Sequence, residues 1–295
     1  MYFKLPTFLL TALWGILWTG AQAQGPGTEE KSLCWEISGN GLSKPSYLFG
    51  TIHLIPKKDL VISDNARKAF ETCSTLAMEV DLEMDKETKE KVANSTIIPD
   101  NKTVEDLLTK EEWEYLQKYM KDSADMSGIK ITIFKRVKPF YLSSIILKEM
   151  ISDEESYEET FGKMADKRKM KKVGLELITE QLALLDSVPM EQQVKSLMEG
   201  ISNGKSPKRE YQKLINIYKN QDLNGMSIMM KEEAPGIDQF EERFLNRRNR
   251  NWIPKIEEMA KKESTFFAVG AGHLGGDQGV ISLLRKKGYT VKPIY

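Results

Sequence analysis

The chain contains only two histidines in 295 residues, and they occupy similar positions in the sequence. His53 follows the run YLFGTI at residues 47–52, and His273 follows the run FFAVGAG at residues 266–272. Each run predicts an apolar strand that ends in the pattern Gly-x-x-His-Leu, so we expect both imidazoles to be held firmly at solvent where a buried strand emerges. Neutral imidazole is the commonest metal ligand among side chains and a frequent general base. The two histidines are therefore the first candidates for chemistry.

Glu79 stands in a comparable place, at the end of the apolar segment 74–80. An unpaired carboxylate would be costly there, so one interpretation is an exposed or paired structural acid. The other is a ligand, because two histidines and one carboxylate can hold a catalytic metal ion and leave positions open for water and substrate. In this interpretation His53, His273 and Glu79 bind one divalent ion (zinc, manganese, cobalt or iron), which lowers the pKa of bound water.

Three further polar residues are candidates for the same chemistry. Glu176 follows a short apolar run and precedes a helix, so it is either a second ligand or general base or a carboxylate favoured by the helix dipole. Arg248 and Asn249 lie in a basic run that ends shortly before Trp252. A guanidinium near a metal ion can stabilise oxyanion charge, and an amide can orient a ligand. The alternative for this run is a basic helix end that satisfies terminal carbonyls.

Composition and absent motifs narrow the function classes. The chain has 43 basic and 43 acidic residues, and this balance argues against general attraction to nucleic acid. It contains no Gly-x-Ser-x-Gly, no His-Glu-x-x-His and no Cys-x-x-Cys. A Ser–His hydrolase stays open, because the members of a triad meet only in space.

The N-terminus has the layout of a secretory signal. Residues 1–23 place a lysine before an apolar stretch and end in Ala-Gln-Ala, which predicts cleavage after residue 23. The alternative is an uncleaved anchor, although the apolar core is short for a membrane span. We expect a flexible lead-in over 24–32, a periplasmic or secreted location and no stable membrane span after cleavage. Cys34 and Cys73 then form either one disulfide or two buried thiols.

The hydrophobic pattern predicts strands near both chain ends and helices between them. The predicted strands are 33–38, 46–52, 74–80, 172–176, 264–270 and 289–294. The predicted helices are 64–72, 110–121, 139–150, 157–170, 178–186, 189–202, 206–219, 236–248, 252–262 and 277–287. This order predicts an α+β (α/β-like) domain over 33–295, with a central mixed sheet built from both chain ends and a large helical insertion at about 84–250.

Five runs in this order resemble the TraB/GumN family, which includes the Tiki metalloproteases of animals. They are YLFGTIH at 47–53, MEVD at 78–81, GLE at 174–176, RNxxW at 248–252 and VGAGHL at 269–274. The resemblance covers residues 33–295 and implies a Gly-x-x-His metallohydrolase-like fold. It also implies that His53, Glu79 and His273 are the core of the site, surrounded by Glu176, Arg248 and Asn249.

Two hypotheses follow. The first is an exported metal-dependent hydrolase, a peptidase whose partner is a peptide or protein substrate. The second is a non-catalytic protein of the cell envelope that binds a peptide or haem, and its motivation is the run of methionine and aromatic residues from Trp113 to Tyr141, although such stripes are more often core. A catalytically inactive scaffold is a third possibility that the sequence does not separate from these.

Overall fold

The structure of the chain is a computed structural model. It describes residues 30–81, 83–151, 153–202, 207–232 and 241–295. The predicted signal peptide at 1–23 lies outside these residues, as does the predicted lead-in up to residue 29. No helix in the described ranges combines the length and the apolar character that crossing a membrane requires.

A six-stranded mixed sheet is the centre of the fold. Its strands are β1 (Cys34–Ser38), β2 (Ser46–Thr51), β4 (Thr75–Val80), β6 (Lys171–Glu176), β7 (Thr265–Gly270) and β8 (Thr290–Ile294). Two further strands of two residues each are β3 (Ile55–Pro56) and β5 (Glu154–Glu155). The order across the sheet is β6-β4-β7-β2-β1-β8. Strands from both chain ends pair in this sheet, so the predicted mixed sheet is confirmed.

Four neighbouring strands of this sheet are parallel. The pairs β6–β4, β4–β7 and β7–β2 run in the same direction, whereas β1 is antiparallel to both β2 and β8. Strands β2, β4 and β7 are almost completely buried, as is typical of strands with both faces covered, whereas the edge strand β6 is mostly half-buried. Because parallel strands end at the same edge, the residues at their carboxyl ends come together there.

Helices make up most of the remaining described residues. They are α1 (Asp64–Thr72), α2 (Lys86–Ser95), α3 (Lys110–Ala124), α4 (Gly128–Phe134), α5 (Pro139–Met150), α6 (Tyr157–Arg168), α7 (Ile178–Asp186), α8 (Met190–Ser202), α9 (Pro207–Lys219), α10 (Leu223–Glu232), α11 (Arg247–Lys262) and α12 (Val280–Lys286). Short 3-10 turns occur at Lys57–Asp59, Val104–Leu107 and Ala271–His273.

The chain divides into two compact units. The sheet unit contains the described residues up to 81, together with 155–177 and those from 214 to 295. Its core includes an aromatic cluster in which neighbouring ring centroids are 5.0–6.2 Å apart. The members of this cluster are Phe49, Phe70, Tyr157, Phe161 and Phe266.

The helical unit contains the described residues of 83–154 and 178–213. Trp113, Met120, Phe140 and Tyr141 are buried, whereas Tyr115 is exposed and donates its hydroxyl to a backbone carbonyl. Most of the residues that motivated the binding-protein hypothesis therefore pack in a core. The predicted insertion limits of about 84 and 250 stay a prediction.

The segment around the basic run differs from the prediction. The sequence predicts helices at 236–248 and 252–262 with a break at Asn251. Residues 236–240 lie outside the described residues, and α11 runs without interruption from Arg247 to Lys262. A π-helical turn at Glu242–Asn246 leads directly into it. The basic run therefore lies at the start of a helix, and the interpretation of a basic helix end is wrong. The sequence alone does not indicate that the helix continues through Asn251, because asparagine also occurs at helix ends.

The two cysteines are free thiols in the structure. Cys34 lies in β1 and Cys73 follows α1, and both side chains are buried. Burial raises the pKa of the Cys34 thiol to about 12 and also raises the pKa of Cys73. Of the two alternatives, the structure has buried thiols rather than a disulfide.

Candidate active site

The six predicted site residues all lie in the sheet unit, and the structure brings them together. His53 follows β2, Glu79 lies in β4, Glu176 ends β6 and His273 follows β7. These are the four parallel strands, so their side chains meet at one edge of the sheet.

Both histidines are buried, so the expectation of imidazoles held at solvent is wrong. His53 is 6% exposed and His273 is 3% exposed. The reason is that each strand is followed by further buried residues, such as Leu54 and Leu274, rather than by an exposed turn. Surrounding protein therefore encloses both imidazoles.

Glu79 is buried and fully hydrogen-bonded. Its Oε1 accepts the backbone N–H of Gly270 at 2.8 Å, and its Oε2 accepts from Arg248 Nη2 at 2.5 Å. Burial alone would raise the pKa of this carboxyl, but Arg248, the two histidines and the Gly270 N–H outweigh it and hold the pKa below its ordinary value. Of the interpretations that the sequence allows, Glu79 is thus a paired carboxylate, and it avoids the cost of an unpaired buried acid.

Gly270 allows the carboxylate to come this close. A Cβ atom at this position would lie 3.0 Å from Glu79 Oε1, 3.6 Å from a ring carbon of His273 and 3.8 Å from His53 Nε2. The three predicted metal ligands therefore surround the face of Gly270 that any other residue would fill with its side chain.

Arg248 is the cation at the centre of the cluster. Besides Glu79, its Nη2 donates to Glu176 Oε1 at 2.6 Å, and its Nη1 donates to the carbonyl of Phe244 at 2.9 Å. The Phe244 carbonyl belongs to the π-helical turn before α11, and such turns often occur at functional sites. Burial would lower the pKa of Arg248, but the carboxylates of Glu79 and Glu176 raise it overall.

Glu176 holds the guanidinium from its other side. Its two oxygens also accept from Arg248 Nε, at 3.1 and 3.2 Å, and Oε2 accepts from Trp252 Nε1 at 3.2 Å. The guanidinium carbon of Arg248 lies 4.8 Å from the centroid of the Trp252 ring. The centroids of the Trp252 and His273 rings are 4.5 Å apart. The contacts of Glu176 are those of a residue that orients Arg248.

Asn249 fixes the orientation of His273. The Nδ1 of His273 lies 2.6 Å from Asn249 Oδ1, and Asn249 Nδ2 donates to the carbonyls of His273 and Gln278. Because the amide nitrogen is already a donor, its oxygen accepts, and His273 Nδ1 carries the proton. The Nε2 lone pair then accepts from Arg248 Nη1 at 3.0 Å. Burial and the adjacent Arg248 charge lower the pKa of His273 to about 3.

His53 is held by a residue that the sequence argument missed. Its Nδ1 lies 2.8 Å from Oε1 of Glu158, a buried carboxylate at the start of α6. Burial would lower the pKa of His53, but the Glu158 carboxylate outweighs this effect and raises it. The sequence predicts only a helix at 157–170, and an acid in the first turn of a helix is too common to indicate a site.

The donor set suits a divalent metal ion. Two imidazoles whose Nδ1–H groups are held by acceptors, with Nε2 toward a carboxylate, are the usual arrangement of metal-binding histidines. In the described residues, however, no three His, Cys, Asp or Glu side chains form a metal-binding group as they stand. His273 Nε2 is 3.7 Å from Glu79 Oε1, and Arg248 donates to both side chains. The assignment of His53, His273 and Glu79 as ligands stays a prediction.

Comparison with known proteins identifies a family and several relatives. The TraB/PrgY/gumN family profile matches residues 33–293. The chain is 23% identical to Metalloprotease TIKI2 of Danio rerio over 88% of its length, and 24% identical to Metalloprotease TIKI2 of Xenopus tropicalis over 84%. Metalloprotease TIKI1 of Homo sapiens is 23% identical over 97%. The matches cover 60%, 57% and 68% of these relatives, respectively. No solved structure matches the chain.

Proposed function

Because this chain belongs to the TraB/PrgY/gumN family, we propose that it is a metal-dependent hydrolase that cleaves peptides or the N-terminal segments of proteins. The observation that carries the proposal is the convergence of His53 Nε2, the His273 ring and Glu79 Oε1 on the open face of Gly270. The names of its relatives as metalloproteases support a divalent metal ion and the choice of peptide bonds as substrate.

His53, His273 and Glu79 would hold the metal ion. A divalent ion bound there would lower the pKa of a bound water and polarise a carbonyl group. The ion is zinc, manganese, cobalt or iron, since all four accept imidazole and carboxylate ligands.

The surrounding side chains have separate tasks. Arg248 is permanently charged and buried, so it would stabilise the negative charge that develops on a carbonyl oxygen during attack. Glu176 and Trp252 orient its guanidinium. Asn249 keeps the proton of His273 on Nδ1, so that Nε2 is unprotonated. A carboxylate must also accept the proton of the attacking water, and Glu176 is our candidate for this base.

The proposed place of action is outside the cytoplasm, in the periplasm or the secreted fraction. The support is the signal-like sequence of residues 1–23, with its apolar stretch and Ala-Gln-Ala ending. We expect the mature chain to begin at Gln24, which N-terminal sequencing of the exported protein tests directly.

Metal reloading tests the proposed chemistry. The mature protein is stripped with a chelator, dialysed and reloaded separately with Zn²⁺, Mn²⁺, Co²⁺ or Fe²⁺, and each sample is incubated with a mixed peptide library read by mass spectrometry. We expect cleavage only after reloading with at least one of these ions. His53→Ala and His273→Ala should retain less metal and show no cleavage above background.

A matched pair of arginine variants controls for general damage. Arg248→Ala should abolish cleavage, whereas Arg250→Ala, an exposed position two residues further along α11, should leave it unchanged. Cleavage by the stripped protein, or a His53→Ala variant with the metal content and activity of the wild type, would show that the proposal is wrong.

A further inference from the structure

Glu158 is a buried carboxylate that the proposed reaction does not use. It is the second residue of α6 and is 5% exposed. An acid in the first turn of a helix normally faces solvent and interacts with the free backbone N–H groups. Glu158 instead points into the sheet unit, where it lies against the end of β2.

The hydrogen bonds of this carboxylate are with His53 and with side chains near it. Oε1 accepts from Thr51 Oγ1 at 2.6 Å and lies 2.8 Å from His53 Nδ1, and Oε2 accepts from Ser156 Oγ at 2.7 Å. Two of these partners are neutral hydroxyls. A buried carboxylate is expensive unless it is well hydrogen-bonded, so its position needs a reason beyond helix capping.

The geometry determines which nitrogen of His53 carries the proton. An ionised carboxylate only accepts hydrogen bonds, so Nδ1 must donate, and the neutral ring then has its lone pair on Nε2. Nε2 is the atom on the side of Gly270, where Glu79 Oε1 also lies. Without Glu158 both nitrogens could carry the proton, and rotation of the ring would no longer be opposed.

The two histidines have different acceptors for the proton on Nδ1. His273 Nδ1 faces the neutral amide of Asn249, whereas His53 Nδ1 faces a carboxylate. Carboxylate acceptors raise the basicity of a histidine ligand and fix its orientation. The chain therefore provides an internal comparison, because one imidazole has an ionic partner and the other does not.

We propose that Glu158 is a positioning residue that keeps His53 in the Nδ1–H tautomer with its Nε2 lone pair directed toward Glu79. Its consequence for catalysis rests on the proposed function, but the tautomer itself does not. The residue acts through His53 and touches neither metal nor substrate.

Nitrogen NMR reads the tautomer directly. Mature protein with ¹⁵N-labelled histidine, free of metal, gives only two imidazole spectra, and a His273→Gln variant assigns them. The pH is raised until neither spectrum changes further, so that both rings are neutral. In the wild type we expect His53 to show a protonated Nδ1 and an unprotonated Nε2.

Variants at neighbouring positions of α6 separate the roles. In Glu158→Ala we expect the two His53 nitrogen signals to move toward each other as both tautomers become populated, while His273 stays unchanged. Glu159→Ala removes the next carboxylate of the same helix and should leave both rings unchanged. If Glu158→Ala does not fold, Glu158→Gln gives the test, because an amide donates as well as accepts and should also mix the tautomers.

A wild-type His53 that carries its proton on Nε2, or a Glu158 variant with the wild-type tautomer, would overturn the proposal. Titration with Zn²⁺ alone then distinguishes this failure from that of the proposed function. We expect Glu158→Ala to bind Zn²⁺ about 10- to 100-fold more weakly than the wild type. A wild type that binds no metal but has the expected tautomer refutes the metallohydrolase and leaves the assignment of Glu158 intact.

Discussion

The two units of the chain differ in where they keep their charges. Among the described residues, every buried aspartate, glutamate and arginine lies in the sheet unit, and these are Asp59, Glu79, Glu158 and Arg248. The helical unit has an apolar and aromatic core, and ion pairs such as that between Lys118 and Asp122 lie at its surface. The described residues of the two units have a similar apolar fraction, so composition does not explain why only one unit buries charged side chains.

Stability alone does not explain why the sheet unit buries charged side chains. A buried ion pair often contributes no more to stability than apolar side chains of the same volume, although removal of one partner is costly. The helical unit demonstrates that this chain can form a core without such groups. The charged cluster around Arg248 is therefore not required to form a core, and the proposed chemistry would account for it.

Loss of the central cation should have the largest effect. Arg248→Met leaves Glu79 and Glu176 buried without their cation, and we expect the free energy of unfolding to fall by about 3–5 kcal/mol. Urea unfolding followed by circular dichroism measures this change. Arg250→Met, on the exposed side of the same helix, should have little effect. Equal changes in the two variants would break the comparison between buried and surface charges.

A cavity in the helical unit should have a somewhat smaller effect. Leu116 in α3 is fully buried, and Leu116→Ala should lower the free energy of unfolding by about 3 kcal/mol through lost burial and an unfilled cavity. The same urea experiment applies. Ile129→Ala, at a position that is 75% exposed in α4, is the control and should be nearly neutral. A large loss from Ile129→Ala would indicate that an exposed surface contributes more than the core.

Loss of the capping box at the start of α3 should have an effect of intermediate size on stability. Thr109 accepts the backbone N–H of Glu112, and the Glu112 side chain accepts the backbone N–H of Thr109 in return. Thr109→Ala should therefore cost about 1 kcal/mol, and Thr109→Ser should retain most of this stability. Thermal unfolding of the three proteins at equal concentration measures it. Identical midpoints would show that this capping box does not stabilise the helix.

The smallest effect is expected for a surface ion pair. Lys118→Ala removes the partner of Asp122 one turn further along α3, and both side chains are largely exposed. Water and salt screen such pairs, so the unfolding midpoint should not change measurably at physiological ionic strength. A loss comparable to that of Arg248→Met would remove the distinction between the two units.

Much of the fold could be predicted from hydrophobic periodicity. The helices at 64–72, 139–150 and 178–186 have the bounds that the sequence predicts, and each sheet strand lies within one or two residues of its predicted range. These elements have clear apolar patterns and clear end signals. The prediction for the segment before Trp252 was wrong. Its basic run resembles a helix end, and no local sequence signal indicates a π-helical turn.

The site could be predicted in part, and the missing part has a physical cause. His53, His273 and Glu79 follow or end apolar strands, where a polar residue is conspicuous. Glu158 opens a helix, where acids are ordinary, and only the packing of α6 against β2 turns it inward. The burial of the histidines was also not predictable, because it depends on distant segments that cover the sheet edge.

The strand order has a consequence for biosynthesis. Strand β7 lies between β2 and β4, yet it begins at Thr265, 185 residues after β4 ends at Val80. A nascent chain that ends before residue 265 lacks the strand that joins these two, and it lacks His273. The proposed site is thus assembled only once nearly all of the polypeptide has been made, so a partly translated chain has only part of it.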